Sequence, residues 1–258
     1  MKQVTHMELA DLVPKSEIRT WVGPFWDPDR YLETGRSECA RLIRLSGLQP
    51  TDRIIDLGCG CGRITIHLAQ FLSEGSSYLG FDNSAPLVNW CLREIQPRYP
   101  NFQFQLADIH NGGSNPEGAL SAGQIKLDSS GNDTDVVLAI SLFTHMRMGD
   151  IQAYLREVYR VLKPGGRLLA TYFLLNEKSI AAIDAKAATY AFVFPVDVDS
   201  RSWTKEVPEE AIAHPEARIV ETYRNVGLNI ATILYGGWTR NALEDHQDLV
   251  IAEKKGGA

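Results

Sequence analysis

The sequence predicts an α/β fold, a doubly wound parallel sheet, and three observations carry that prediction. Short apolar runs alternate with amphipathic stretches of about 10 to 15 residues. The first run, Ile54, Ile55 and Leu57, leads through Gly58, Gly60 and Gly62 into a helix with apolar residues at Ile64, Leu68, Phe71 and Leu72. Three successive runs close on an aspartate: Asp56, Asp82 and Asp108. In open parallel sheets a ligand sits outside the carboxyl ends of the strands, so three acids there gather around one site. Each could instead cap the helix that follows it.

The glycine turn is the organising stretch. Strand, glycine turn and helix form a nucleotide-binding layout, because the turn is tight and the free N–H groups at the helix start offer donors. The spacing is G-x-G-x-G, with Arg63 where a dinucleotide fingerprint needs its third glycine for close helix packing. That argues against NAD. Asp56, just ahead of the glycines, places negative charge where a pyrophosphate would lie but suits an ammonium group.

Elements follow in order. Trp21, Phe25, Trp26 and Tyr31, broken by Gly23, Pro24 and Pro28, suggest an irregular aromatic segment leading into a helix from Pro28 to Ser46. These aromatics either cover a ligand, with Trp26 and Tyr31 as substrate contacts, or pack the helix onto the sheet. Arg36 is a candidate for a ligand carboxylate or an ordinary surface arginine. Tyr78 to Phe81 reads as a strand ending in Asp82, and Asn83 or Ser84 can cap the next helix, to about Ile95. Phe102 to Ala107 alternates and is placed at a sheet edge, whereas Val136 to Ile140 is continuously apolar, as in a central strand buried on both faces. The polar stretch between them, Asn111 to Thr134, is expected to be a mobile surface loop. A helix from Ile151 to Leu162 stops at Lys163-Pro164-Gly165-Gly166, and Arg167 to Phe173 is the next strand.

The segment from about Tyr31 to Phe173 resembles the class I S-adenosylmethionine-dependent methyltransferases. The marks are IIDLGCGCGR, YLGFDNS, FQLADIH, DVVLAISLFTHM and YLREVYRVLKPGGRLLATYF, in that family's order and approximate spacing. The resemblance implies a Rossmann-like seven-stranded sheet with a final antiparallel strand, and S-adenosylmethionine as cofactor. It implies that Asp56 and the backbone of Gly58, Gly60 and Gly62 bind the methionine portion, with Cys59 and Arg63 beside them. Asp82 would take the ribose hydroxyls and Asp108 the adenine amino group. Asn83 and Ile109 would line the adenine, and Ala139 to Ser141 would lie beside the sulfonium.

The chain is read as one domain, 1–258, with an N-terminal helical and aromatic lid over 1–50 and a substrate cap inserted at 176–208. The cap is expected to hold a helix from Ile180 to Tyr190 and extended pieces at Phe192 to Val198 and Trp203 to Val207. The C-terminal part resumes the sheet, with a helix within Glu209 to Val226 and strands at Leu228 to Tyr235 and Asp248 to Ala252. Between them Tyr235 and Trp238 stand in a loop that, by the topology of the family the chain resembles, would return near the active-site mouth, Trp238 being either a substrate wall or a core aromatic.

His145 is the best-placed general base for a hydroxyl acceptor; the alternative is a helix-entry histidine bonded to backbone. No H-x-x-x-H or similar spacing supports a metal. Ala139-Ile140-Ser141-Leu142 stands where a tetrad such as N-P-P-Y would hold a planar nitrogen, so a small-molecule hydroxyl acceptor is favoured over adenine or amide nitrogens. N- and C-methylation stay open, as does a non-catalytic nucleotide-binding module. Aminopropyl transfer would need an added acidic pair near the glycine turn, which the chain lacks. A formal charge of −6 disfavours a general nucleic-acid binder. No stretch is apolar enough for a signal peptide or spanning helix, and the protein is read as cytoplasmic without a membrane partner.

Overall fold

The computed structural model describes residues 9–240 and 246–256, so the first eight positions of the expected lid lie outside the described residues. The chain divides into two compact units between Ala107 and Asp108.

In the first unit, local signals set the long helix α1, Pro28–Ser46. Asp27 caps it by accepting from Asp29 N–H at 3.0 Å, Pro28 occupies the first turn, and Gly47 ends it with φ of 66°. Its inner face carries Tyr31, Leu32, Gly35, Cys39, Leu42 and Ser46, all buried. Burying a side chain such as Leu42 contributes about 1.5–3 kcal/mol. Three parallel strands follow: β1 (Arg53–Leu57), β2 (Ser77–Asp82) and β3 (Phe102–Leu106), in the order β3-β2-β1. Ile54 pairs with Tyr78, and Tyr78 with Phe102. β3 lies at the edge as expected, with Phe102 and Phe104 buried and Gln103 and Gln105 exposed, but Leu106, expected on the face of the two phenylalanines, is 44% exposed at the strand's end.

Helix α2 (Thr65–Phe71) joins β1 to β2, and α3 (Ala85–Trp90) runs on into a π-helical turn at Cys91–Ile95. Ser84 sits at the N-cap of α3 but makes no side-chain capping bond. Ahead of α1, the buried Arg19 ties the aromatic segment together by donating to the carbonyls of Pro14, Phe25 and Trp26. Sequence reading had no signal for that staple, because every partner is a backbone carbonyl.

The second unit opens with 108–133, which is not a free loop. Ile109 bridges to Leu120, Leu127 is buried, and Arg160 donates to the carbonyls of Ser129 and Leu127, both at 2.9 Å. Two apolar anchors and one arginine thus fasten a segment whose polar composition suggested mobility.

Strand β4 (Thr134–Ala139) is buried on both faces. Helix α4 (Met148–Val161) returns the chain to β5 (Leu162–Leu175), parallel to β4. Lys163 to Gly166 forms the irregular start of β5 rather than a separate turn, with a register shift opposite Thr134 and Val136. The sheet ends with β9 (Leu228–Leu234) and β10 (Asp248–Lys254), β10 lying antiparallel to both β5 and β9. Helix α6 (Glu216–Val226), closed by Gly227 at φ of 90°, precedes β9.

The segment after β5 forms helix α5 (Glu177–Asp184), which is shorter than the sequence suggests and closes before Tyr190. Three short strands then extend the far end of β5: β6 (Phe194–Val196), β7 (Ser200–Ser202) and β8 (Ile212–Pro215). β8 pairs with β5 in parallel, Phe173 opposite Ala213, and β7 and β6 add antiparallel strands outside it. These three are additional to the seven strands expected. The extension has its own core of Phe173, Leu175, Ile183, Phe192, Ala211, Ala213 and Trp238. No helix among the described residues is long and apolar enough to cross a membrane.

Candidate functional site

The first unit brings Asp56, Gly58, Cys59, Gly60, Gly62, Arg63, Asp82 and Asn83 together at the carboxyl ends of β1 and β2. Gly58 and Cys59 donate to the Phe81 carbonyl at 2.7 and 2.9 Å, which folds the turn over β2. Gly58, Gly60 and Gly62 have φ of 77°, 56° and 87°, the left-handed region. At Gly62 a Cβ would also lie 2.4 Å from Ile95 Cδ1, so the π-helical turn packs directly against the glycine.

Asp82 completes the turn. Its Oδ2 accepts from Gly60 N–H at 2.9 Å and its Oδ1 from Ser84 N–H at 2.8 Å. Burial pushes its pKa up, and the N–H groups of Ser84, Gly60 and Asn83 oppose the rise. Two carboxylate oxygens offer about four lone-pair sites, and with three backbone N–H groups on it the carboxylate keeps about one for a further donor.

Asp56 is 3% exposed, and its Oδ2 accepts from Tyr78 Oη at 2.6 Å. Tyr78 Oη in turn lies 2.8 Å from Thr65 Oγ1, which donates to it because the tyrosine proton is committed to the carboxylate. Burial is the main force pushing Asp56 up to about 6, with Tyr78 opposing. Here is a buried acid that the fold does not fully compensate, next to a tight glycine turn. Such a site fits a ligand that is cationic at one end and carries a hydroxylated ring, as S-adenosylmethionine does.

The supports of this site come from elsewhere in the unit. Tyr31, fully buried, donates from Oη to the Cys61 carbonyl at 3.3 Å, so it braces the turn from behind and presents no surface to a substrate. Arg63 lies over the Phe25 ring, 5.0 Å from its centroid, and pairs with Glu38 at 3.3 Å. Gly35 was missed by sequence reading: a Cβ there would lie 2.3 Å from the Arg63 carbonyl, so α1 can approach the turn only as glycine. Arg36 is exposed and ion-paired with Glu33, and Trp26 is 72% exposed.

In the second unit Asp108 Oδ1 accepts from Asn115 Nδ2 at 3.4 Å, and Ile109 is buried beside it. Beyond Ala139, which is buried at the end of β4, Ser141 adopts φ of 56°. Strained non-glycine backbone of this kind persists where surroundings over-determine it. Ser141 N–H donates to Thr171 Oγ1 at 2.7 Å and its Oγ to Gln247 Oε1 at 3.0 Å. Neither partner was legible in the sequence.

His145, half-buried, donates from Nδ1 to the Glu209 carbonyl at 3.0 Å, since a carbonyl can only accept. Burial lowers its pKa, against the pull of the Glu209 and Glu210 carbonyls. Trp238 is a core aromatic. It is fully buried against Phe173 and Phe192, with Nε1 donating to Asp248 Oδ2 at 2.9 Å. Tyr235 is exposed, its Oη donating to Glu216 Oε1 at 2.9 Å.

Comparison with known proteins bears on the whole arrangement. A family profile described as "Methyltransferase domain" matches residues 48–218. The ubiquinone/menaquinone biosynthesis C-methyltransferase of Azotobacter vinelandii is 26% identical over 218 residues, covering 80% of this chain and 77% of its own. Phosphoethanolamine N-methyltransferase 3 of Arabidopsis thaliana is 23% identical over 150 residues, covering 58% of this chain. The alignment spans only 27% of that plant protein's length. Among solved structures, magnesium protoporphyrin IX methyltransferase from Synechocystis with bound SAH superposes with a TM-score of 0.54 at 17% identity. That match covers 99% of this chain and 90% of the other. The mixed α/β Rossmann-like fold and the cofactor expectation both stand, and the chain belongs to the class I S-adenosylmethionine-dependent methyltransferases.

Proposed function

We propose that this methyltransferase acts on a hydroxyl oxygen of a small-molecule acceptor, with His145 receiving the acceptor's proton. The observation that carries the reading is the hydrogen bond of His145: Nδ1–H is committed to the Glu209 carbonyl, which in the neutral ring leaves the lone pair on Nε2, and burial favours that neutral ring. An amine need only arrive unprotonated, so it has less need of such a base at the moment of attack. The two sequence relatives named above are described as a C- and an N-methyltransferase, and His145 is the feature that supports oxygen in this chain.

Bound S-adenosylmethionine supplies an electrophilic methyl group on a sulfonium. Asp56 offers negative charge to the ammonium end, the glycine turn offers its backbone, and Asp82 accepts from the ribose hydroxyls. Asp108 takes the adenine amino group, with Asn83 and Ile109 along the ring and Ala139 and Ser141 beside the methyl. As the acceptor oxygen forms its bond to the methyl carbon, the carbon–sulfur bond breaks with its electron pair left on sulfur. The acceptor proton passes to His145 Nε2. The rest of the protein's contribution is alignment and exclusion of water.

Residues 176–208 serve as the acceptor cap and 1–50 as the lid, with Trp26 and Tyr235 exposed and available for acceptor contact. The net negative charge supports a metabolite rather than a nucleic acid. Four free cysteines support a reducing, cytoplasmic setting.

The test is transfer of radiolabelled methyl from S-adenosylmethionine to a panel of phenols, alcohols, amines and carbon acids, using the wild type and His145→Gln. Turnover of a hydroxyl compound that falls at least 100-fold in His145→Gln supports the reading. Turnover of an amine that is indifferent to the substitution refutes it.

A further inference from the structure

Charged contacts in the second unit converge on Arg147, two residues beyond His145. Its Nε donates to Glu209 Oε1 at 2.9 Å and its Nη1 to Asp197 Oδ1 at 3.3 Å. Asp197 Oδ2 lies 3.4 Å from Met148 N–H, so the start of α4 shares the same acid. Asp197 stands in the turn between β6 and β7 with φ of 56°, and Glu209 in the 3-10 turn Pro208–Glu210. One guanidinium therefore ties the segment that carries His145 to two separate points of the inserted sheet. The Glu209 main chain is also what His145 Nδ1 donates to, at 3.0 Å. On another side Asn111 Nδ2 donates to the His145 carbonyl at 3.0 Å.

We propose that Arg147 is a positioning residue: by holding the Glu209 and Asp197 side chains it seats the Glu209 carbonyl on His145 Nδ1–H and so fixes which imidazole nitrogen keeps the lone pair. Without that seat the ring is free to take the other tautomer, in which Nε2 carries the proton and cannot accept one. The planar fork matters, because two acids from different elements must be met in two set directions; a lysine supplies only a point charge. The inference rests on the reading of His145 as the base, but its readout needs no acceptor.

The experiment is long-range 15N–1H correlation of the imidazoles in full-length protein labelled at histidine, near neutral pH. His145 is assigned by the signal lost in His145→Gln. The wild type is expected to show a neutral ring protonated on Nδ1. Arg147→Met loses that signature, giving Nε2–H or a mixture, and Arg147→Lys recovers part of it. The double variant Asp197→Asn, Glu209→Gln keeps the side-chain shapes while removing the charges. It gives the same loss and serves if Arg147→Met does not fold. Circular dichroism verifies the fold of each variant. A wild-type ring protonated on Nε2, or an Nδ1–H signature unchanged in the folded variants, overturns the proposal. An Nδ1–H ring that responds as expected while His145→Gln retains full transfer leaves Arg147 as positioner and removes only the base assignment.

Discussion

Replacing Asp82 by alanine should separate binding from folding. The carboxylate would meet the ribose hydroxyls, and the loss of hydrogen bonds to a charged acceptor costs about 1.5–3 kcal/mol, a ~10- to ~150-fold rise in Kd. The same side chain holds the N–H groups of Gly60 and Ser84 in the free protein. Its pKa is nevertheless raised rather than lowered, so burial outweighs those bonds and the fold draws no net benefit from the charge. Stability in Asp82→Ala should fall by only about 1–2 kcal/mol, the relief of the buried charge offsetting part of the cost of the unpaired Gly60 and Ser84 N–H groups, or roughly 2–8 °C in Tm for a chain of this size.

Calorimetric titration reads the first quantity and a thermal scan the second. At a ligand concentration of 100 times the wild-type Kd, S-adenosylmethionine stabilises the wild type by about 2.7 kcal/mol. If Kd rises ~100-fold, the same concentration stabilises the variant by only about 0.4 kcal/mol. A folded Asp82→Ala protein that keeps the wild-type affinity and the wild-type thermal response would refute the ribose assignment.

Three further outcomes are expected. Asp56 and Asp248 both have folded pKa values pushed from 3.8 up to about 6, so the folded state binds more protons than the unfolded between those values. Stability of the ligand-free protein should thus fall as pH rises from about 4 to about 6, by up to ~3 kcal/mol per group. Denaturant melts of the wild type against Asp56→Asn isolate one share, and an identical pH slope in the two would be against it. A cationic ligand favours ionised Asp56, so S-adenosylmethionine affinity should drop as pH is lowered through about 6, and titrations across that range should be flat in Asp56→Asn. Gly35→Ala should cost about 1–3 kcal/mol, because its Cβ would lie 2.3 Å from the Arg63 carbonyl; a Tm equal to the wild type would show that α1 can move away freely.

The elements that were legible are those whose causes are local. Helix α1 announces itself through Asp27, Pro28 and Gly47, three neighbours acting at its own ends. β4 shows as an unbroken apolar run because both its faces are covered. By contrast β6, β7 and β8 are three or four residues long and exist because β5 extends to Leu175 and offers them an edge. Nothing in their own pattern says so. The candidate site divides in the same way. The glycine turn and Asp56 are contiguous in sequence and Asp82 shows as the end of its own strand, whereas Tyr78 meets Asp56 inside the sheet and Glu209 reaches His145 from 64 positions away. Gln247 meets Ser141 across 106 positions. Those partners are chosen by strand register, and register is not written in any one window.

On the proposed assignment, acceptor capacity rather than a shifted pKa separates Asp56 from the structural Asp248. Asp56 and Asp248 are equally buried, at 3% and 2% exposure, and burial pushes both up to about 6. Asp248, however, accepts from Leu174 N–H and Gly236 N–H at 2.8 Å and from Trp238 Nε1 at 2.9 Å. Three of its roughly four lone-pair sites hold β10, β5 and the Trp238 loop together. Asp56 meets Tyr78 and keeps most of its sites open beside the glycine turn. Asp248→Ala should leave three donors unpaired in a dry core and lower stability by about 3 kcal/mol or more, with the affinity for S-adenosylmethionine unchanged in the folded fraction. Asp56→Ala should do the reverse, relieving a buried charge while weakening the cofactor. If both substitutions instead lower stability alike and leave affinity alone, unfilled acceptor sites do not mark function in this protein, and Asp56 is a core acid like Asp248.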